Sequence, residues 1–359
     1  MNAALPLAGA RAPRSSPSIV PASAPRPALV ERMLHVDPGA RSFRDRSVRE
    51  LPAILRPGDA LIVNDAATLP ASLRGRTEAG DEVELRLSSR LDDREWLGVL
   101  FGAGDHRTPT EQRPAPPSVP IGARLVLGSL RATVVAIDPR SPRLIVVRFE
   151  REGAAFWTGL YASGRLVQYA HVPSPLPLWE LQSSFAGRPW AVEMPSAARP
   201  LRWELLDALR RRGVLLASLT HAAGLSSTGD LALDRALPFP ERFELPAATV
   251  STIDAARAQG GRVVAVGTSV VRALEGCALR HDGVLVAETA ITALRIGRGF
   301  RPRIVDGLFT GIHDDPGTSH HELLSAFAPS GLLARAHEHA ARAGYVGHEL
   351  GDSTLILGA

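Results

Sequence analysis

From about Leu73 to Phe149 the chain offers short β-like runs and no helical period. "SLRGR", "VELRLSS", "EWLGVLF", "ARLVLG", "RATVVAI" and "RLIVVRF" follow one another, separated by turn-formers and by the proline-rich "TPTEQRPAPPSVP". Six such runs in about 80 residues predict a small antiparallel six-stranded β-barrel. The segments on either side have a different rhythm, so the barrel is read as an insertion. Residues 73–149 form the inserted domain, and residues 29–72 with 150–359 form a larger α/β domain. Residues 1–28 are rich in Pro, Ala and Ser without periodicity and are expected to be a disordered or loosely draped arm.

The larger domain shows alternating helix and strand signals. "LPAILRPGDALIVND" gives a short helix, a Pro-Gly turn and a buried strand that delivers Asn64 and Asp65 at its carboxyl end. "PLRWELLDALRRRG" places Leu201, Leu205, Leu206 and Leu209 on one helical face, and the strand "VLLASL" then runs to Thr220 and His221. A second helix, "PAATVSTIDAARAQGG", leads into the strand "RVVAV", the turn "GTS" and the helix "VVRALEG". Such alternation predicts a parallel or mixed sheet, and open α/β sheets bind ligands beyond the carboxyl ends of their strands.

Three stretches carry candidate chemistry. In "RVVAVGTSVVRALE" a strand stops at Gly267 and leads straight into a helix, where free amides and the helix dipole attract an anion. Thr268 and Ser269 either meet a ligand or merely cap the helix. His221 ends a strand before a Gly/Ser/Thr-rich loop, as a candidate base or as a histidine satisfied by a loop carbonyl. "VDGLFTGIHDDPGTSHHELLSAFA", Val305–Ala328, holds three histidines, three aspartates and a glutamate. Ser319-x-x-Glu322 reads as a capping box. His320 and His321 then splay by about 100° on the helix and do not converge on one ion. No metal is expected. His313 follows a strand-like run and is placed at the same sheet mouth as His221.

Composition narrows the remaining classes. One cysteine, Cys277, excludes an intramolecular disulfide and a cysteine-rich zinc site. No run of about 18 apolar residues is present, so no membrane span is expected, and the N-terminus has no secretory pattern. A cytoplasmic protein is expected. All 41 basic residues are arginine, a side chain suited to phosphate and carboxylate. In "RIGRGFRPR", Arg295, Arg298, Arg301 and Arg303 surround Phe300, a pattern suited to RNA or to a solvated loop.

Together, "LPAILRPGDALIVNDAATLPASLRGR", "GRVVAVGTSVVRALE" and "IVDGLFTGIHDDPGTSHHELLSAFA" resemble, in order, three segments of the S-adenosylmethionine:tRNA ribosyltransferase-isomerase family of queuosine biosynthesis. The resemblance extends from about Arg26 to the end. It implies an α/β domain with an inserted barrel. It also implies transfer and isomerisation of the ribosyl part of S-adenosylmethionine onto 7-aminomethyl-7-deazaguanine in tRNA. Epoxyqueuosine would form, and adenine and methionine would leave. S-adenosylmethionine would be a co-substrate with no tightly bound cofactor, tRNA the partner, and the protein a monomer. The residues matching family motifs are His313, His221 and Asp306 as catalytic candidates. Asn64, Asp65, Gly267, Thr268, Ser269, Arg272, Gly307, Thr318 and Ser319 are the substrate-binding candidates, and the four arginines are candidates for RNA.

The chain departs from the family pattern around the expected site. "PSAARPL", 195–201, carries Ala198, Pro200 and Leu201 where the family has glycine, histidine and phenylalanine, and it gains Arg199. The loop after His221 reads "AAGLSSTGD", His320-His321 replace paired leucines, and Gly347-His348 replace an aromatic pair. These changes imply a divergent member. It carries out the family transfer, uses another acceptor, or binds RNA without turnover.

Overall fold

The computed structural model describes residues 18–26, 31–312 and 318–358. Six antiparallel strands from Ser72–Thr77 to Leu144–Phe149 close into a barrel. Alternate apolar side chains such as Leu85, Leu87, Val99, Leu125 and Val147 fill its interior. Closure leaves no unpaired strand edge. The barrel also contains a charged group: Arg86 Nε lies 2.8 Å from Glu84 Oε1, and Arg113 Nη1 lies 2.5 Å from Glu84 Oε2. Burial alone would raise the Glu84 carboxyl, but the two guanidiniums pull it down to about 2.

The larger sheet has nine strands. Their order is Glu288–Thr292, Glu241–Leu245, Leu215–His221, Ala60–Asn64, Val263–Val266, Gly307–Gly311, Ser353–Ile356, Arg32–Asp37 and Ser42–Ser47. The third to sixth of these run parallel. Ala60–Asn64 and Val263–Val266 are buried throughout, as strands covered on both faces must be. Helices Ala247–Ala258 and Thr268–Arg280 pack over one core, and Trp203–Arg211 over another. The sheet is therefore mixed, and the carboxyl ends of its parallel strands lie on one edge. No helix among the described residues is long and apolar enough to cross a membrane.

Residues 18–26 differ from the expected loose arm. Val20–Pro21 pairs with Val346–Gly347, Ile19 and Ala22 are buried, and Arg26 Nη1 lies 3.0 Å from Asp352 Oδ1. Two apolar side chains and one ion pair are enough to dock a proline-rich strand that has no local signal of its own. The rest of the expected arm, residues 1–17 and 27–28, lies outside the described residues.

Candidate active site

A cavity of about 520 Å³ opens where the parallel strands end, between the sheet and a barrel loop that contributes Pro109, Thr110 and Glu111. A volume of several hundred cubic ångströms suits a nucleoside-sized ligand. Its floor is the Val266–Arg272 turn. Gly267 has φ +90° and ψ 153°, a conformation that glycine alone adopts readily. A Cβ there would also stand 3.4 Å from the Ala197 side chain. No side chain caps the helix that follows. Its first amides therefore lack an intrahelical partner and are available to a ligand at the positive end of the helix dipole. Thr268, Ser269 and Arg272 share this face and line the cavity.

Arg272 and Glu241 form the next layer. Arg272 Nη2 donates to Glu241 Oε2, and Glu241 Oε1 accepts from Gly224 N at 2.8 Å. His221 lies behind them, fully buried, with Nε2 3.4 Å from Glu241 Oε2. Burial, reinforced by Arg272, pushes His221 down to about 4, so the ring is neutral at pH 7. His221 does not line the cavity, and neither of its ring nitrogens has a hydrogen-bond partner among the described residues. The ring does not stand at the sheet mouth, where the sequence places it as a candidate base. The strand delivers its backbone to the mouth but turns the imidazole into the core.

Asn64 and Asp65 are likewise structural in their contacts. Asn64 Oδ1 accepts from Ala66 N at 3.0 Å and His221 N at 2.9 Å, and its Nδ2 donates to His221 O at 3.0 Å and Ser269 Oγ at 3.4 Å. All four hydrogen-bonding positions of the amide are used within the protein, which ties two strand ends to the helix start. Asp65 accepts from Ser218 Oγ at 2.9 Å and Thr220 Oγ1 at 2.6 Å. Neither residue belongs to the cavity wall.

Asp306 and Gly307 fall at the wrong end of the sheet for the roles the sequence assigned them. Asp306 Oδ2 accepts from Val263 N at 2.8 Å, and Gly307 opens the Gly307–Gly311 strand. Both therefore sit at the amino edge, and a five-residue strand places the carboxyl edge about 16 Å away. Asp306 fixes strand pairing. Gly307 is a packing position, where a Cβ would fall 2.5 Å from Leu357 Cδ1.

Thr318 and Ser319 do line the cavity. The cap of the Ser319–Leu324 helix is Thr318, one residue before the expected position. Its extended backbone lets the hydroxyl accept from His321 N at 3.2 Å. His320 also lines the cavity, and burial pushes it down to about 4. His313 lies outside the described residues. Arg295, Arg298, Arg301 and Arg303 are exposed on the connection between the Glu288–Thr292 and Gly307–Gly311 strands. Arg303 is at the amino edge, where its amide donates to Glu275 at 2.9 Å. Arg295 donates to Arg235 O, close to the Leu237–Pro238 part of the cavity wall.

The lining also contains ionisable groups, of which the sequence marks only His348, as a departure from the family pattern. Glu193 Oε1 accepts from Tyr169 Oη and from Ser226 N at 2.9 Å. Burial raises the Glu193 carboxyl to about 7, with Glu349 adding to the effect against these hydrogen bonds. His171, His348 and Glu349 stand beside it. Arg199, a departure from the family pattern, is buried, pairs with Glu31 at 3.1 Å, and donates to Leu350 O at 3.4 Å and Gly351 O at 3.2 Å. It anchors the turn that carries His348 and Glu349.

The fold is that of an α/β protein with an inserted barrel and a cavity at the carboxyl ends of its parallel strands. The chain matches the family model described as "Queuosine biosynthesis protein" over residues 17–356. It belongs to that family. The S-adenosylmethionine:tRNA ribosyltransferase-isomerase of Thermosynechococcus vestitus is 35% identical over 320 residues, 87% of this chain and 86% of that protein. The Rhodopseudomonas palustris protein of the same name is 34% identical over 359 residues, 96% of each chain. The crystal structure of an S-adenosylmethionine tRNA ribosyltransferase from Thermotoga maritima aligns with a TM-score of 0.50 at 23% identity. It covers 94% of this chain and 96% of that one, which speaks for the fold.

Proposed function

We propose that this chain transfers and isomerises the ribosyl moiety of S-adenosylmethionine onto 7-aminomethyl-7-deazaguanine in tRNA, giving epoxyqueuosine-tRNA with release of adenine and methionine. The observation that carries this reading is the uncapped helix start at Gly267–Ser269, which opens into a 520 Å³ cavity with Arg272 on the same face. The free amides suit the methionine carboxylate, and the Thr268 and Ser269 hydroxyls suit ribose oxygens. The sulfonium acidifies the adjoining ribose carbon, and a carboxyl near neutral pKa is the most effective acceptor for that proton at pH 7. Glu193 is the described group that meets this requirement. His221 acts as a positioning residue through Glu241 and Arg272. Arg295 and Arg298 supply tRNA backbone contacts.

A second reading, transfer of the same moiety to a different acceptor, is favoured by one observation. The cavity lining includes ionisable Glu193, His171, His348 and Glu349, groups able to select an acceptor by charge. Nucleoside mass spectrometry after incubation with S-adenosylmethionine and tRNA bearing the aminomethyl base separates the two. Epoxyqueuosine in the tRNA supports the first. Tight binding of S-adenosylmethionine with unchanged tRNA contradicts it and leaves the second.

A further inference from the structure

Three donors on the cavity wall converge in a way the ribosyl transfer does not require. His171 Nε2 lies 2.9 Å from Glu349 Oε2, and the His171 and His348 rings are 4.7 Å apart at their centroids. One ligand atom from each of His171, His348 and Glu349 lies within 4.8 Å of the other two. Two imidazoles and a carboxylate are a donor set for zinc, and bonds of about 2.0–2.2 Å in a tetrahedral site would bring such atoms to about 3.3 Å from one another.

The backbone beneath these donors is fixed in advance. His348 has φ +65°, which a residue with a Cβ holds only where its surroundings over-determine it. His348 N donates to Ile312 O at 2.8 Å, and Gly351 N donates to His348 O at 3.0 Å. Val346 N donates to Asp352 Oδ2 at 2.9 Å. Arg199 holds the carbonyls of Leu350 and Gly351 from below. A turn braced in this way presents His348 and Glu349 together without further ordering, as supported metal ligands require.

The local charge also calls for a cation. Glu349 has no arginine to offset it among the described lining residues: Arg272 is the only arginine among them, and it is bound to Glu241. We infer that His171, His348 and Glu349 form a three-ligand site for a divalent transition ion of the zinc type. Its fourth position is turned toward the cavity, open to solvent or to a ligand carboxylate. The inference holds whichever acceptor the transfer uses.

The test is a zinc titration of the purified full-length chain, first stripped by chelation, in competition with a chromophoric chelator. One equivalent is expected. His348→Ala and the near-isosteric Glu349→Gln should each weaken it by at least ~100-fold, the upper end of what loss of even an outer ligand partner costs. Cys277→Ser, in a second His/Cys/Glu group formed by Cys277, His281 and Glu288, should leave it unchanged. Cobalt in place of zinc should give visible d–d bands without a thiolate charge-transfer band. Absence of a competing equivalent, wild-type affinity in Glu349→Gln, or loss in Cys277→Ser overturns the inference.

Discussion

Glu193 shows how one side chain acquires a function from its surroundings. An exposed glutamate is ionised at pH 7, but here burial lifts the carboxyl to about 7 while Tyr169 and Ser226 hold it in place. If it accepts the ribose proton, kcat/KM of the chelator-stripped wild type rises with pH through about 7, and an ion on Glu349 would move that limb down. Glu193→Gln should lower turnover by roughly 10²- to 10⁴-fold, the usual contribution of a general base, and should remove that limb of the profile. An unchanged pH limb in the variant removes Glu193 from the chemistry. The linked stability has a definite sign. A carboxyl raised from 4.5 to about 7 stabilises the fold fully below 4.5, and that contribution is lost as pH rises through about 7. His221 and His320, lowered from 6.5 to about 4, act in the opposite direction. Their contribution is present above 6.5 and is lost as pH falls toward 4.

At the scale of elements, the barrel carries the clearest energetic prediction. Glu84, Arg86 and Arg113 are nearly inaccessible, and removing the carboxylate charge leaves two guanidiniums buried without it. Glu84→Gln should destabilise the protein by about 3–5 kcal/mol, the cost of breaking a buried ion pair from one side, measured by denaturant unfolding. A loss under about 1 kcal/mol would mean that water reaches the cluster. The elements themselves were legible because their signals are local: apolar runs, turn-formers and the leucine face of Trp203–Arg211. Gly267 and its turn were legible for the same reason, since strand, glycine and helix are adjacent in the chain. The position of Asp306 was not legible, because it lies inside the strand-like run before His313 and no local signal marks where the strand begins. The role of the Asn64 side chain depends on a backbone partner 157 residues away, which no local pattern reports. Glu193, His171, His348 and Glu349 come from segments far apart in sequence, each with one or two residues and no spacing to reveal them.

For the whole molecule, the formal charge of +4 is small, so affinity for tRNA must come from where the arginines lie. Arg295 and Arg298 are exposed, and Arg295 lies close to the cavity wall; Arg303 is at the far edge of the sheet. Arg295→Ala and Arg298→Ala should each weaken tRNA binding and reduce the salt slope by about 1, with S-adenosylmethionine affinity unaffected. Arg303→Ala should leave the slope unchanged. Equal effects at Arg295 and Arg303 would place the tRNA elsewhere.

The most direct test of the account is adenine release, followed by chromatography, from the purified chain with S-adenosylmethionine and tRNA carrying the aminomethyl-deazaguanine base. The account predicts release that depends on that tRNA. It also predicts that Arg272→Ala lowers the apparent affinity for S-adenosylmethionine by roughly 10- to 100-fold, the worth of a charge-assisted hydrogen bond. No adenine from folded protein that binds S-adenosylmethionine, or an apparent affinity unaltered by Arg272→Ala, would contradict it.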